Sequence, residues 1–158
     1  MTCLRQFRAC YAHNVSISTN VSPTVYPAGK HNNLTVQNKE PAITFDFYWV
    51  PYVDSQMRAV VEDLATLVDD MPELVLISAA CWHMKRSNSS EEEFFNYKSN
   101  LTALAPTLNE LAAHTTVIWV SQGPVFERLL TPERKMINNY EIWKYNSAAE
   151  VSRLNFIF

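Results

Sequence analysis

The stretch Leu74-Val75-Leu76-Ile77-Ser78-Ala79-Ala80-Cys81-Trp82-His83-Met84-Lys85 decides how the chain is read. It opens as a continuous run of large apolar residues, thins to small ones, and breaks into a polar segment carrying Trp82. A short branched run bounded by Pro72 and a polar segment suits a strand buried on both faces. Burial on both faces requires helices above and below, so the run predicts an α/β domain with a parallel sheet. Ligands of such sheets bind at the carboxyl ends of the strands. Small residues such as Ala80 at that end would let a ligand approach the backbone, with Trp82 as a wall. The same small residues would equally suit a helix packed close above them. The segment 82–90 is expected as an exposed loop, because it contains a glycosylation sequon.

Working outward, residues 43–50 (Ile43-Thr44-Phe45-Asp46-Phe47-Tyr48-Trp49-Val50) read as a strand from their β-branched and aromatic content, ended by Pro51. Asp54 and Ser55 offer cap oxygens for a helix to about residue 70. Its stripe is Met57, Val60, Val61, Leu64, Leu67, Val68 and Met71. Ser90 caps a second helix whose first turn holds Glu91, Glu92 and Glu93, where the helix dipole favours negative charge. That acidic run is therefore a helix start and not a metal site. Phe94, Tyr97, Leu101, Leu104, Ala105, Leu108, Leu111 and Ala112 carry its stripe onward, and Pro106 is expected to kink or split it. Residues 117–121 form a third strand, followed by a turn at Gln122-Gly123-Pro124. Thr131-Pro132 reads as a helical start. Asn138 or Asn139 caps a last helix with Ile142, Tyr145, Ala149 and Leu154 inward. Trp49, Trp82 and Trp119 are thereby expected on or beside three neighbouring parallel strands.

Residues 1–12 suit a short helix with Leu4, Phe7 and Tyr11 on one face, and residues 13–42 lack any sustained period. The expected organisation is an irregular segment 1–42 followed by a partial α/β domain 43–158. The apolar end Phe156-Ile157-Phe158 falls where a further strand would start, so the domain is expected to be truncated at both ends.

Composition bounds the function. The chain has 158 residues and a net charge of -3, which gives no reason to expect nucleic acid or an anionic membrane as partner. Gly29 and Gly123 are its two glycines, so neither G-x-G-x-x-G nor a P-loop is present. Cys3, Cys10 and Cys81 show no zinc spacing, so no metal site is expected. No apolar run is long enough to span a membrane, and residues 1–20 lack the apolar core of a signal peptide. Yet five N-x-Ser/Thr sequons, at Asn14, Asn20, Asn33, Asn88 and Asn100, point to a secretory lumen. The two observations reconcile if a targeting segment precedes these residues.

Several stretches carry a family resemblance. They are Phe45-Asp46-Phe47-Tyr48-Trp49, Ala79-Ala80-Cys81-Trp82-His83-Met84-Lys85 and Tyr97-Lys98-Ser99-Asn100-Leu101-Thr102-Ala103-Leu104-Ala105-Pro106, with Trp119-Val120-Ser121-Gln122-Gly123-Pro124-Val125-Phe126-Glu127 and Arg134-Lys135-Met136-Ile137-Asn138-Asn139. In this order they resemble the lumenal catalytic domain of the animal sialic-acid O-acetyltransferases. These belong to the capsule-synthesis acyltransferase family and are related to the PC-esterases and SGNH hydrolases. The resemblance implies a three-layer SGNH-like sheet of flavodoxin-like topology. It implies acetyl transfer from acetyl-coenzyme A to a sialic acid in its nucleotide-activated form, through a Ser acyl-enzyme. It implies no bound cofactor, and a Golgi setting with membrane attachment through spans that this chain lacks.

The family's Ser lies in Gly-Asp-Ser and its base in Asp-x-x-His; neither motif occurs here. Arg5-Gln6-Phe7 resembles the residues after the nucleophile motif, which puts Thr2 at the nucleophile position with no strand before it. The pocket residues implied are Ala80, Trp82 and Gln122. Gln122 at the third strand's end could donate to an oxyanion or sugar, or cap its own turn. His83 could act as a base or be a surface imidazole. Cys81 could be a nucleophile or packing. Asp46 could hold a turn, partner an Arg, or point outward. Three readings follow: a segment of a sialic-acid O-acetyltransferase, a carbohydrate esterase or acyltransferase of other specificity on the same scaffold, or a non-catalytic product.

Overall fold

The computed structural model describes residues 15–18, 33–39, 42–67 and 69–152. The chain divides into two compact units, residues 1–49 and 50–158. Both strands and helices are present, so the protein is mixed α/β. The expected helix at 1–12, Leu154 and the segment 156–158 lie outside the described residues, as does Thr2.

In the first unit β1 (Val15–Ser18), β2 (Leu34–Lys39) and β3 (Ala42–Phe47) form an antiparallel sheet in the order β1-β2-β3. Two expectations are corrected here. The stretch 13–42 was expected to be irregular, and it contains β1 and β2. The strand expected over 43–50 exists as β3, but it pairs antiparallel with β2 and is not a strand of the parallel sheet. Ile43 and Phe45 lie on one face and Thr44 and Asp46 on the other, and all four are exposed, so the strand lacks the two-sided burial that a strand of a parallel sheet needs. Asp46 sits opposite Thr35 in the register and accepts that residue's hydroxyl proton at 2.5 Å, so it is a cross-strand partner. Asn33 Oδ1 accepts the Trp49 N–H at 2.8 Å, which fixes the chain beyond β3.

The second unit runs α1 (Ser55–Ala65), β4 (Leu74–Ile77), α2 (Cys81–Arg86), α3 (Glu91–Ala112), β5 (Thr116–Trp119), two 3-10 turns (Glu127–Leu129 and Pro132–Arg134) and α4 (Asn139–Val151). Strands β4 and β5 are parallel, with Val75 opposite Val117 and Ile77 opposite Trp119. The ladder runs one step further, where the Val120 N–H donates to the Ile77 carbonyl at 2.7 Å.

Helix α3 is the axis of this unit, packing against α1, α2, α4 and β5. Tyr97, Leu101, Leu104, Leu108 and Leu111 follow at steps of four and three, the spacing that puts them on one face, and all are buried. Full burial of each Leu stabilises the fold by about 1.5–3 kcal/mol. Ser90 Oγ accepts the Glu93 N–H and caps the helix. Pro106 does not split it: the helix is continuous over 22 residues, and Pro106 lies on its exposed face. Helix α1 is shorter than expected, ending at Ala65; Met57 and Val61 are buried, whereas Leu67 is exposed.

Strand β4 is not buried on both faces. Val75 and Ile77 face the core, while Leu74 is 49% and Leu76 57% exposed. Helices cover one side of the β4–β5 pair among the described residues, so an all-apolar strand leaves half its side chains facing out. Trp119 alone of the three tryptophans lies on a strand of the parallel sheet: Trp49 follows an antiparallel strand and Trp82 is helical. The loop expected at 82–90 begins instead as α2. Nothing in Cys81-Trp82-His83-Met84-Lys85-Arg86 breaks a helix, and burying His83 and Met84 stabilises the turn.

Candidate functional site

The carboxyl ends of β4 and β5 lie side by side because the strands are parallel neighbours. Beyond β4 comes Ser78-Ala79-Ala80-Cys81, and beyond β5 comes Val120-Ser121-Gln122-Gly123. The Cys81 thiol donates to Gln122 Oε1 at 3.0 Å, joining the two ends through side chains. Burial pushes the Cys81 thiol above its ordinary value, the backbone hydrogen bond opposing this. A nucleophilic or metal-bound cysteine needs the thiolate, so Cys81 acts here as a neutral donor that orients Gln122. With its Oε1 taken, Gln122 uses Nε2 as a donor, to the Gly123 carbonyl at 3.3 Å.

The backbone of Gln122 is held from the other side. Its N–H donates to Asn146 Oδ1 at 3.0 Å, and its carbonyl accepts from Asn146 Nδ2 at 2.9 Å. Two turns back along α4, Asn139 repeats the arrangement on Val125: the Val125 N–H donates to Oδ1 at 2.8 Å and its carbonyl accepts from Nδ2 at 3.1 Å. Positions 139 and 146 share one helix face, so α4 grips the segment after β5 at two points. The Asn139 N–H, free of any partner within its helix, donates to Glu127 at 2.8 Å. Gly123 and Ser121 are exposed between the two grips, and a Cβ added at Gly123 would meet open space.

His83 is neither a surface imidazole nor a free base. It is 2% exposed, and both ring nitrogens are engaged. The Val53 N–H donates to Nε2 at 2.9 Å, so Nε2 is unprotonated; Nδ1 therefore carries the proton and donates to Glu93 Oε1 at 2.7 Å. Tyr52 and Tyr97 meet the ring edgewise, at centroid distances of 5.3 and 4.9 Å. Burial pushes its pKa below the ordinary value, outweighing the Glu93 hydrogen bond and charge that pull it up. The Tyr97 hydroxyl donates to the Ala79 carbonyl at 3.1 Å, tying this buried cluster to the end of β4. The neighbouring Tyr145 hydroxyl is buried and has no hydrogen-bond partner among the described residues.

Among the expected pocket residues, Gln122 stands at the strand ends, and Trp82 is half-buried at the start of α2 with the Lys85 ammonium 4.7 Å from its ring centroid. Ala80 is 7% exposed and belongs to the core, so its small side chain serves packing. A groove of about 350 Å³ between α3 and α4, lined by residues including Phe94, Lys98, Trp143 and Lys144, holds none of the three. Among the described residues, no Ser or Thr hydroxyl is bonded to a His, and no group of His, Cys, Asp and Glu could hold a metal ion. The sequence reading missed Asn146, Asn139 and Glu93. Asn146 had a signal: an Asn in mid-helix is a poor helix former and needs a reason to be there.

Of the sequons, Asn14 and Asn20 lie outside the described residues. Asn33 and Asn88 are exposed, and Asn100 is part of α3. No described helix is long and apolar enough to cross a membrane.

No family model and no solved structure matches the chain. Over 161 aligned residues it is 36% identical to the N-acetylneuraminate (7)9-O-acetyltransferase of Danio rerio. The match takes in 97% of this chain and 20% of that relative, so the chain spans about a fifth of the length of a sialic-acid O-acetyltransferase that it resembles nearly throughout.

Proposed function

We propose that these residues are a segment of an O-acetyltransferase acting on sialic acid. The observation that carries this reading is the 36% identity to the Danio rerio enzyme, sustained over almost the whole chain. The geometry supports it at one place. The ends of two parallel strands are joined, and Gln122 is held there by Cys81 and Asn146 beside open space at Gly123. Such a held amide suits the stabilisation of a developing oxyanion or the binding of a sugar hydroxyl. In the proposed chemistry a Ser hydroxyl takes acetyl from acetyl-coenzyme A and passes it to a hydroxyl of the sugar, which is nucleotide-activated. The enclosing fold is the three-layer SGNH type, with Trp82 at the rim of the pocket, and the setting is the Golgi lumen.

Neither Gly-Asp-Ser nor Asp-x-x-His occurs in the 158 residues, and His83 is committed to Glu93 and Val53. The chain by itself is therefore expected to transfer no acetyl, and a graft is the informative test. Residues 50–158, the second compact unit, replace the matching segment of the Danio rerio enzyme, which keeps its own residues in the register of Thr2, and the chimera is expressed in cells lacking sialic-acid O-acetylation. The expected result is O-acetylated sialic acid on those cells, reduced or abolished by Gln122→Ala. A chimera that reaches its compartment folded and yields no O-acetyl ester overturns the reading, as does acetyl transfer by the isolated chain.

A further inference from the structure

The second unit holds two described sequons, and the fold treats their asparagines in opposite ways. Asn88 is exposed, and it and Ser89 both adopt left-handed backbone, at φ 55° and 56°. Two such residues in succession turn the segment between α2 and α3 outward. Asn tolerates that region better than most residues, and no hydrogen bond among the described residues engages its amide. The backbone of the turn is satisfied without it: the Ser89 N–H donates to Met84 and the Ser90 N–H to Ser87. Asn100 is committed. Its Nδ2 donates to the Val53 carbonyl at 2.7 Å, while the Val53 N–H donates to His83. Both backbone polar groups of Val53, which leads into α1, are thus held by side chains, one from α3 and one from α2. Leu101 and Leu104, beside Asn100 on α3, are fully buried.

We propose that Asn88 is an acceptor for an N-linked oligosaccharide and that Asn100, though it has the same motif, is a structural staple that carries none in the folded protein. The donor is an oligosaccharide on a polyprenyl pyrophosphate. Nδ2 of Asn88 attacks the anomeric carbon, forming a C–N bond as the C–O bond to the pyrophosphate breaks. The lipid pyrophosphate leaves, and one Nδ2 proton passes to a base of the transferase. At Asn88 the glycan projects into solvent from an outward turn. At Asn100 it would have to fit beside the Val53 carbonyl that Nδ2 contacts at 2.7 Å, where the start of α1 meets α3. The proposal rests on the lumenal setting proposed above only for its occurrence in the cell.

Residues 1–158 are expressed in human cells behind a cleavable secretion leader, so the test supplies the compartment. Sites are read in the secreted protein by glycosidase release in heavy-oxygen water and peptide mass spectrometry. Asn88 is expected to be occupied and Asn100 unoccupied, and Asn88→Gln removes one glycan. Occupancy at Asn100 in secreted protein, or its lack at Asn88, overturns the proposal. If the chain is not secreted, unmodified protein from bacteria decides: Asn100→Ala lowers the melting temperature by about 2–4 °C, whereas Asn88→Gly, which keeps the left-handed backbone of that turn, does not. Equal melting of the two variants overturns it. A bare Asn88 leaves the acetyltransferase reading standing, and an inactive chimera leaves this one standing.

Discussion

His83 is the one buried polar side chain among the described residues of the second unit, and it is bonded through both nitrogens. Removing the ring leaves the Val53 N–H and the Glu93 carboxylate unpaired in the interior, a loss of about 3 kcal/mol for His83→Ala. The folded state holds the ring neutral, with its pKa below the ordinary value of 6.5 because of burial. The unfolded chain takes up the proton first as the pH falls. The stabilisation is therefore complete above about pH 6.5, and it drains away as the pH drops from there toward the depressed folded value. Denaturant midpoints measured from pH 7.5 to 5 should fall more steeply for the wild type than for His83→Gln. The Gln amide can accept from Val53 and donate to Glu93 without titrating. Parallel pH curves for the two proteins would contradict this account. The residue was visible in the sequence as the best-placed His, but its burial was not. The sequon at Asn88 suggested an exposed loop, and Glu93 was read only as part of a helix start.

At the scale of elements, the coupling of α4 to the end of β5 rests on two asparagines seven residues apart. Asn146→Ala leaves both backbone groups of Gln122 without their partners in a partly buried place, at a cost of about 1–3 kcal/mol. Asn139 is exposed and water can replace it, so Asn139→Ala should cost less. Limited proteolysis gives the local readout. Cleavage within residues 120–130 should accelerate several-fold in Asn146→Ala while cleavage elsewhere changes little. Unchanged cleavage there would show that the segment is held by other contacts. The helices themselves were legible, since a stripe at steps of three and four states both the element and its buried face. Helix α2 was not, because six residues are too few to show a period. The asparagine grips escaped for a different reason: a side chain that binds a backbone group far along the chain leaves no local pattern.

For the whole molecule the informative feature is the open side of the β4–β5 pair. Leu74 and Leu76 stand out while Ile77 and Val117 face the helices. Leu74→Thr and Leu76→Thr should each change stability by less than about 1 kcal/mol, whereas Val117→Thr, which buries a hydroxyl, should cost about 1–3 kcal/mol. Chemical denaturation of the 158-residue chain checks this; a large loss at Leu76 would mean that something covers that face in solution. The apolar run at 74–77 did mark a strand, and it pairs in parallel with Thr116–Trp119, although the burial on both faces from which that pairing was argued is absent. It could not say how many strands join them, nor that the aromatic stretch 43–47 pairs elsewhere and antiparallel. The sequence by itself determined the helices α1, α3 and α4, the two parallel strands and the likeness to sialic-acid O-acetyltransferases, because periodicity and motif order are local properties written along the chain. Only the tertiary structure decided that His83 is a buried neutral strut, that Cys81 and Asn146 hold Gln122, and that Asn100 is a staple while Asn88 is exposed. Each of those depends on which groups meet across tens of residues, and on whether water can reach them once they do.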